Sequence, residues 1–261
     1  MEQIAVFVLG LIFGSFANVI VFRLNTGESL IFGGSRCFYC GRNLRWFELI
    51  PVVSFLALRG KCRSCGSKIS WQYPAVELAS GALFLLLWSE PGSYQLGKSP
   101  ALTITAVLFF WLLLVISVYD IRHKIIPNPL VYFAILTAVL FLGFVNWNLM
   151  DNLKLIIENL AAGFGLFLFF GVLWFVSGGR WMGFGDAKLA LALGIMLGWP
   201  LSLAAFFMSF WLGALLGLLY KFSNRSAGFK TQMPFAPFLS AGGLAAYLWG
   251  EKIIFWYLSL L

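Results

Sequence analysis

Charged side chains are scarce in this sequence. Asp, Glu, Lys and Arg make up 11% of the 261 residues and apolar residues 61%, whereas a soluble domain carries roughly 25% charged residues. Such a composition excludes a disordered chain, a soluble enzyme and a nucleic-acid-binding domain. The net charge of +8 therefore carries information about membrane topology and does not indicate a nucleic-acid partner.

Histidine is almost absent, and several common catalytic motifs are missing. His123 is the single histidine, so a histidine metal cluster is excluded, and any Ser–His pair would have to use this residue of a basic loop. The sequence has no G-x-S-x-G motif, no Walker A motif and no dinucleotide-binding fingerprint.

Long apolar runs, by contrast, are abundant. A membrane-spanning helix needs about 20 mostly apolar residues. The pattern predicts an all-α polytopic membrane protein with about eight transmembrane helices. The first segment is expected to be a retained span and not a cleaved signal, because no basic residue precedes it. The predicted spans are residues 4–22, 73–88, 101–119, 130–147, 160–176, 184–199, 201–220 and 234–250.

Cationic residues are distributed unevenly among the connections between these segments. Of the 18 Lys and Arg residues, only Lys98, Lys154 and Lys252 lie outside one alternating set of connections. Because positively charged loops stay in the cytoplasm, we expect this set to be cytoplasmic and both termini to lie outside the cytoplasm. The set comprises residues 23–72, 120–129, 177–188 and 221–233.

All four cysteines fall in the one long connection, residues 24–72, with the spacing C-x2-C-x21-C-x2-C. A glycine follows each second cysteine and allows the backbone to curl around a metal. Four thiolates match tetrahedral Zn²⁺, although iron accepts the same ligands. Two disulfides are the alternative, which a reducing cytoplasm disfavours. We expect a structural zinc bound by Cys37, Cys40, Cys62 and Cys65.

Two aspartates occupy the cytoplasmic ends of predicted spans. Asp120 ends the third span, and Asp186 begins the sixth within Gly183-Phe184-Gly185-Asp186. At matching depth they could meet, and two close carboxyl groups can share one proton and act as a general acid and a general base. The alternative is structural: Asp120 pairs with Arg122 or Lys124, and Asp186 caps its helix.

Several ordered motifs resemble those of the bacterial prepilin peptidases, also called type IV leader peptidases, of the GxGD aspartic protease class. The resemblance covers nearly the whole chain. The motifs are Gly14-Ser15-Phe16-Ala17-Asn18-Val19 with Arg23-Leu24, the two cysteine pairs, Ile50-Pro51-Val52-Val53-Ser54 with Arg59-Gly60, Ile69-Ser70-Trp71-Gln72-Tyr73-Pro74-Ala75-Val76-Glu77, Asp120 with Ile126-Pro127-Asn128, and Gly183-Phe184-Gly185-Asp186-Ala187-Lys188-Leu189.

The resemblance implies a bifunctional enzyme of the bacterial inner membrane. Such enzymes cleave the basic leader of type IV prepilins or pseudopilins after a glycine at the cytoplasmic face. Many then methylate the new N-terminal amine with S-adenosylmethionine. Asp120 and Asp186 match the catalytic pair of the family, and the cysteine-bearing insert matches the region associated with methylation.

Further residues are candidates for the site. Gly183 and Gly185 would let a substrate strand approach the backbone beside Asp186, in a loop that includes Lys188. Asn18, Arg23 and Glu77 belong to motifs that the resemblance associates with methylation. The chain then divides into a first transmembrane helix (1–23), a zinc-binding module associated with methylation (24–72) and a protease bundle (73–261).

Three positions depart from the family pattern: Asn25 where proline is frequent, Phe38 where the first cysteine pair often has proline, and Gln72 where arginine is usual. All three lie in the methylation-associated part, and some relatives only cleave. A cleavage-only peptidase therefore remains an alternative. Two other classes also remain, a polytopic transporter with a structural zinc module and a membrane scaffold that recruits a partner.

Overall fold

The computed structural model describes residues 1–89, 99–149, 153–223 and 233–259. Helices account for nearly all the regular structure in these ranges, where β-structure is limited to two isolated bridges. The chain forms two compact units, residues 1–89 and 90–261. The all-helical fold expected from the apolar runs is confirmed, while the predicted three-part functional division stays a prediction.

The first unit is built on two helices joined by the cysteine-bearing insert. Helix α1 (Glu2–Arg23) packs along α3 (Gln72–Ser89). Glycines at their contact bring the backbones together: a Cβ added at Gly14 would lie 2.6 Å from the Cα of Glu77. The insert contains a short 3-10 helix (Trp46–Leu49) and the short helix α2 (Val53–Ala57).

The described parts of the second unit form six long helices: α4 (Pro100–His123), α5 (Asn128–Leu149), α6 (Leu153–Ser177), α7 (Phe184–Leu197), α8 (Leu201–Ser223) and α9 (Ala236–Leu258). Helices that follow each other in sequence form three pairs, α4 with α5, α6 with α7 and α8 with α9. Helices α5 and α9 each pack against both α4 and α7.

Burial separates inner from outer helices in this unit. About two thirds of the apolar stretch of α4 is buried (67%), whereas α6 and α8 bury only 22% of theirs. Helix α7 is also mostly buried, from Asp186 to Leu197. The two predicted catalytic aspartates are therefore carried by the two inner helices, and the outer helices present their apolar surfaces to the surroundings of the protein.

The long helices coincide with the eight predicted spans. Five are long and apolar enough to cross a membrane by length and composition: α1, α4, α5, α6 and α8. The chain is therefore a multi-pass membrane protein, and the count of eight crossings stays a prediction. Helix α7 has 14 residues and is about 21 Å long, which is shorter than a hydrocarbon layer of about 30 Å.

A glycine pair holds α6 and α7 at close range. A Cβ added at Gly194 of α7 would lie 2.5 Å from the Cα of Gly163 of α6, and one added at Gly163 would lie 3.0 Å from the carbonyl oxygen of Leu191. These contacts involve backbone atoms that cannot rotate away. Close backbone packing of this kind stabilises helix pairs in lipid, where burial of apolar surface gives little driving force.

Substitution of Gly194 by alanine tests this packing. We expect Gly194→Ala to lower the melting temperature of the detergent-purified protein by several degrees, because overpacking costs about 1–3 kcal/mol. Gly171→Ala on α6 is the matched control, since a Cβ there meets no described atom within 4 Å and alanine favours the helix. Equal melting temperatures for the two variants would contradict the close contact.

Candidate active site and metal centre

Asp120 is buried near the C-terminal end of α4, with 5% of its surface exposed. Its Oδ2 accepts a hydrogen bond from the backbone N–H of Ala236 at 3.3 Å. Ala236 is the first residue of α9, so the carboxyl group faces the positive end of that helix. Asp120 forms no ion pair within the described residues, and the alternative of pairing with Arg122 or Lys124 is not observed.

Asp186 is the third residue of α7 and is equally buried, at 7% exposed. Its Oδ2 accepts a hydrogen bond from the backbone N–H of Gly183 at 3.2 Å, which caps the helix. Capping occupies only this one oxygen. Oδ1 is buried and has no hydrogen-bond partner within the described residues. Oδ2 thus caps the helix, as the structural alternative expects, while Oδ1 is available to a further hydrogen-bond partner.

The two carboxyl groups are 66 residues apart in sequence, yet both are buried in the second unit. Helices α5 and α9 each contact both α4 and α7 and set the spacing of the two aspartates. The fold thus buries both carboxyl groups in one helical unit and links their helices through α5 and α9, and the pairing of the two aspartates for catalysis stays a prediction.

A second set of contacts joins the segment after Asp120 to the segment around Asp186. The Nζ of Lys188 donates a hydrogen bond to Oδ1 of Asn128 at 2.8 Å and lies 5.0 Å from the ring centre of Phe184. A Cβ added at Gly185 would lie 2.7 Å from the Cβ of Ile126. Gly185 therefore has a packing role, which is to let α7 approach the α4–α5 connection.

The predicted substrate-approach loop, with Gly183, Gly185 and Lys188, lies at the start of α7. Gly183 is the N-cap of α7 in an extended conformation, with φ −77° and ψ 148°, so its backbone does not require glycine. Lys188 is held by Asn128 and the aromatic rings beside it. The role of Gly183, Gly185 and Lys188 in substrate approach stays a prediction.

The methylation-associated residues lie where the insert joins the two helices of the first unit. Asn18 of α1 is buried and donates from Nδ2 to the carbonyl oxygen of Tyr73 at 3.3 Å. Its Oδ1 accepts a hydrogen bond from Nε2 of Gln72 at 3.4 Å. Gln72, which stands where arginine is usual in the family, therefore has a hydrogen-bond partner in this protein. Asn25 has φ +65°, which asparagine tolerates and proline does not.

Arg23 and Glu77 hold the backbone of the insert from opposite ends. The guanidinium group of Arg23 donates hydrogen bonds to the carbonyl oxygens of Ser29, Gly33 and Gly34 at 3.0–3.2 Å. The buried carboxyl group of Glu77 accepts a hydrogen bond from the N–H of Val52 at 2.7 Å. Both residues have structural partners here, and their link to methylation stays a prediction.

The two cysteine pairs form matching knuckles. In each, the N–H of the first cysteine bonds to the carbonyl oxygen five residues on, and the N–H of the glycine four residues on bonds back to the cysteine carbonyl. The two glycines, Gly41 and Gly66, have φ of +70°, a region that glycine enters without strain. The repeated hydrogen bonds explain why the same C-x2-C-G pattern occurs twice.

The four sulfurs converge on one point. All four Sγ atoms lie within 4.8 Å of one another, and those of Cys37 and Cys65 are 3.9 Å apart. A tetrahedral zinc with Zn–S bonds of about 2.3 Å places its sulfurs about 3.8 Å apart. The cysteines are free thiols, so the disulfide alternative is not observed, and the cluster fits a metal ion.

The surroundings of the sulfurs lower the pKa of two thiols, Cys37 and Cys65, whereas burial and these two neighbouring sulfurs raise the pKa of Cys40 to about 11. Backbone hydrogen bonds from Cys40 and Tyr39 lower the pKa of Cys37 to about 6. The hydroxyl of Ser67 lies 3.1 Å from the Sγ of Cys65 and lowers the pKa of that thiol. Thiolates are the form that binds metal, so the four sulfurs suit a cation with four sulfur ligands.

Fold and site together define a polytopic helical membrane protein with a four-cysteine metal-binding insert and a pair of buried aspartates. Two family models match this chain, and together they cover most of it. Residues 8–90 match the bacterial peptidase A24 N-terminal domain, and residues 107–218 match the type IV leader peptidase family. The chain belongs to the type IV leader peptidase family.

Similar proteins match along almost their whole length. A protein of Bacillus subtilis named prepilin leader peptidase/N-methyltransferase is 37% identical, with 97% of both chains covered. Proteins of the same name from Stutzerimonas stutzeri and Pseudomonas aeruginosa are each 33% identical; the matches cover 97% and 96% of this chain and 92% and 91% of theirs. No solved structure gives a significant match.

Sequence reasoning missed three groups that support the site: the N–H of Ala236, Ile126 against Gly185, and the hydroxyl of Ser67. A backbone donor carries no residue-type signal. The prolines at 234 and 237 do indicate the start of a helix, but nothing in the sequence links that start to Asp120. Ser67 lies two residues beyond the last cysteine, where a hydroxyl near the metal could have been expected.

Removal of the Ser67 hydroxyl tests the metal centre. We expect Ser67→Ala to weaken metal binding by roughly 10–100-fold, because partners that orient metal ligands have effects of that size. Metal content after dialysis against graded chelator gives the affinity. Ser64→Ala, in the same knuckle, is the matched control and should leave the affinity unchanged. Cys37→Ser should abolish binding, and a Ser67→Ala affinity equal to that of the control would contradict this role.

Proposed function

We propose that the chain is an aspartic endopeptidase of the bacterial inner membrane that removes the basic leader of type IV prepilins or pseudopilins. Cleavage occurs after a glycine at the cytoplasmic face. The enzyme then methylates the new N-terminal residue with S-adenosylmethionine. The observation that carries this proposal is 37% identity, over 97% of both chains, to a protein named for both activities.

The buried carboxyl pair supports the hydrolytic half. In the proposed reaction one of Asp120 and Asp186 is ionised and takes a proton from water, while the other is protonated and donates to the carbonyl oxygen of the scissile peptide bond. Hydrolysis transfers the elements of one water molecule across that bond, so no covalent intermediate and no metal are needed. The unpartnered Oδ1 of Asp186 supports its contact with substrate or water.

The position of the aspartates on their helices supports a substrate cleaved near the membrane surface. Asp120 lies in the last turns of α4 and Asp186 in the first turn of α7. A membrane-anchored substrate helix must unwind at this depth to expose its scissile bond, and a glycine before the bond favours unwinding through its backbone freedom. We place both termini outside the cytoplasm, from the positive charge of the alternating connections.

The insert supports the methylation half of the proposal. We propose that its cluster of four cysteines binds zinc as a structural ion, since four protein ligands leave no open position for catalysis. S-adenosylmethionine supplies the methyl group, and the acceptor is the α-amine released by cleavage. Asn18, Arg23 and Glu77, at the junction of the insert with α1 and α3, are the proposed positions that couple this region to methylation.

A transporter remains the alternative from a different class. It would place ionisable groups near the middle of the membrane or in broken helices. Here the predicted site residues cluster at helix ends, and α4 is continuous from Pro100 to His123. A cleavage-only peptidase is the nearer alternative, because the proteolytic and methylation-associated residues belong to different compact units.

Conversion of either aspartate to asparagine tests the catalytic pair. We expect Asp120→Asn and Asp186→Asn each to lower leader cleavage by at least about 100-fold, because an amide can act neither as acid nor as base. Glu158→Gln is the matched control, since Glu158 is half exposed and pairs with Lys154 on the surface of α6. Activity in either aspartate variant close to that of the control would remove the assignment.

Loss of the metal should separate the two activities. Metal-binding energy is folding energy in a module as small as the insert, whereas helices in lipid satisfy their backbones internally. We therefore expect Cys62→Ser to abolish methyl transfer and metal content while reducing cleavage only in part. Both activities are assayed in one purified preparation together with metal content. Normal methylation by a metal-free variant would contradict the proposed role of the insert.

A further inference from the structure

The insert exposes large apolar side chains beside the end of a membrane-spanning helix. In the segment 29–34, Ile31 is 81% exposed and Phe32 is 80% exposed. This segment is fixed in position, because Arg23, the last residue of α1, donates hydrogen bonds to the carbonyl oxygens of Ser29, Gly33 and Gly34. The backbone that carries Ile31 and Phe32 is therefore held against the last residue of α1.

A second apolar segment is fixed in the middle of the insert. Val53 is 59% exposed and Leu56 is 65% exposed on the short helix α2. The N–H of Val52, directly before this helix, donates to the buried carboxyl group of Glu77 at 2.7 Å. Glu77 is the sixth residue of α3, so α2 is held beside the first two turns of that helix.

The charge of the insert is complementary to an anionic surface. Residues 24–72 contain seven Lys or Arg residues and two glutamates. Each glutamate forms an ion pair with an arginine, Glu28 with Arg36 and Glu48 with Arg42. The other five cations form no ion pair within the described residues: Arg45, Arg59, Lys61, Arg63 and Lys68.

We propose that the insert lies on the membrane in which α1 is anchored, and that the bilayer interface is a binding partner of the insert. In this arrangement Ile31, Phe32, Val53 and Leu56 enter the region below the headgroups, and the five cations without an ion pair contact anionic phospholipid headgroups. Exposed aromatic and aliphatic side chains next to basic ones are typical of such interfacial segments. A basic peptide is a poor candidate for the same surface, because it would meet like charge.

Arg23 and Glu77 thereby acquire a shared function that does not depend on proteolysis or methylation. Arg23 fixes the segment 29–34 to the end of α1, and Glu77 fixes Val52, next to the second apolar segment, to the beginning of α3. The segments are held at the interface by the fold itself, and the ordering of these loops is complete before lipid is contacted. The inference rests on the anchoring of α1 in the membrane and on the contacts of the first unit alone.

Photo-crosslinking in lipid nanodiscs tests the proposal with the full-length protein. Benzoylphenylalanine replaces Phe32 or Leu56, and the nanodiscs contain phosphatidylethanolamine and phosphatidylglycerol. Phe16, exposed on α1, gives the reference yield for contact with lipid, and Asn43, an exposed polar position of the insert, gives the background. We expect phospholipid adducts at positions 32 and 56 at least about threefold above the Asn43 yield and comparable with the Phe16 yield.

Two outcomes of this experiment would overturn the proposal. One is an adduct yield at positions 32 and 56 no higher than at Asn43. The other is that the cross-links go mainly to peptides of residues 99–259 or to an added prepilin, which would show that protein covers these segments. Metal content and melting temperature of each labelled protein show beforehand that the insert is folded.

A second measurement avoids photochemistry. Trifluoromethylphenylalanine at position 32 reports depth through its fluorine relaxation. We expect a nitroxide on the upper acyl chain of the lipid to increase this relaxation more than a soluble gadolinium chelate does. Stronger relaxation by the soluble chelate would place Phe32 in water and overturn the proposal.

Discussion

Burial of two carboxyl groups in an apolar helical bundle is the constraint on which the second unit depends. Ionisable groups at membrane depth are unfavourable unless the fold supplies partners. Asp120 obtains its partner from the first N–H of α9, and Asp186 obtains its partner from the N-cap of its own helix. The start of α9 is therefore held against α4 by the hydrogen bond from Ala236 to Asp120. Helices α5 and α9 both pack against α4 and α7 and so determine the spacing of these two helices.

The first unit solves a different physical problem. The insert of about fifty residues has few buried side chains, among them Phe55, Cys62 and Glu48, and so small a core rarely folds alone. Two knuckles that converge on one metal position replace the missing core. Arg23 holds the segment 29–34 of the insert and Glu77 holds Val52, so the placement of the insert relies on α1 and α3 while its internal order relies on the sulfurs.

Much of this arrangement could be predicted from the sequence, because it depends on local patterns. Apolar runs located the long helices, and the cysteine spacing located the sulfur cluster. The last span was expected to end at 250, but α9 continues to Leu258, because Glu251 and Lys252 interrupt the apolar run only briefly and residues 253–258 are apolar again. The partner of Asp120 could not be predicted, since it is a backbone group 116 residues away. The packing role of Gly185 likewise depends on Ile126, which belongs to another segment.

The proposed function requires one chain to cleave a prepilin leader and then to methylate the product. Mass spectrometry of a membrane-anchored prepilin, incubated with the purified wild-type protein and S-adenosylmethionine, measures both steps together. We predict one product that begins directly after the glycine, initially unmodified and later carrying a single methyl group on its N-terminal amine. The proposed function would be contradicted by a prepilin that stays intact, by cleavage at another bond, or by a product that gains no methyl group.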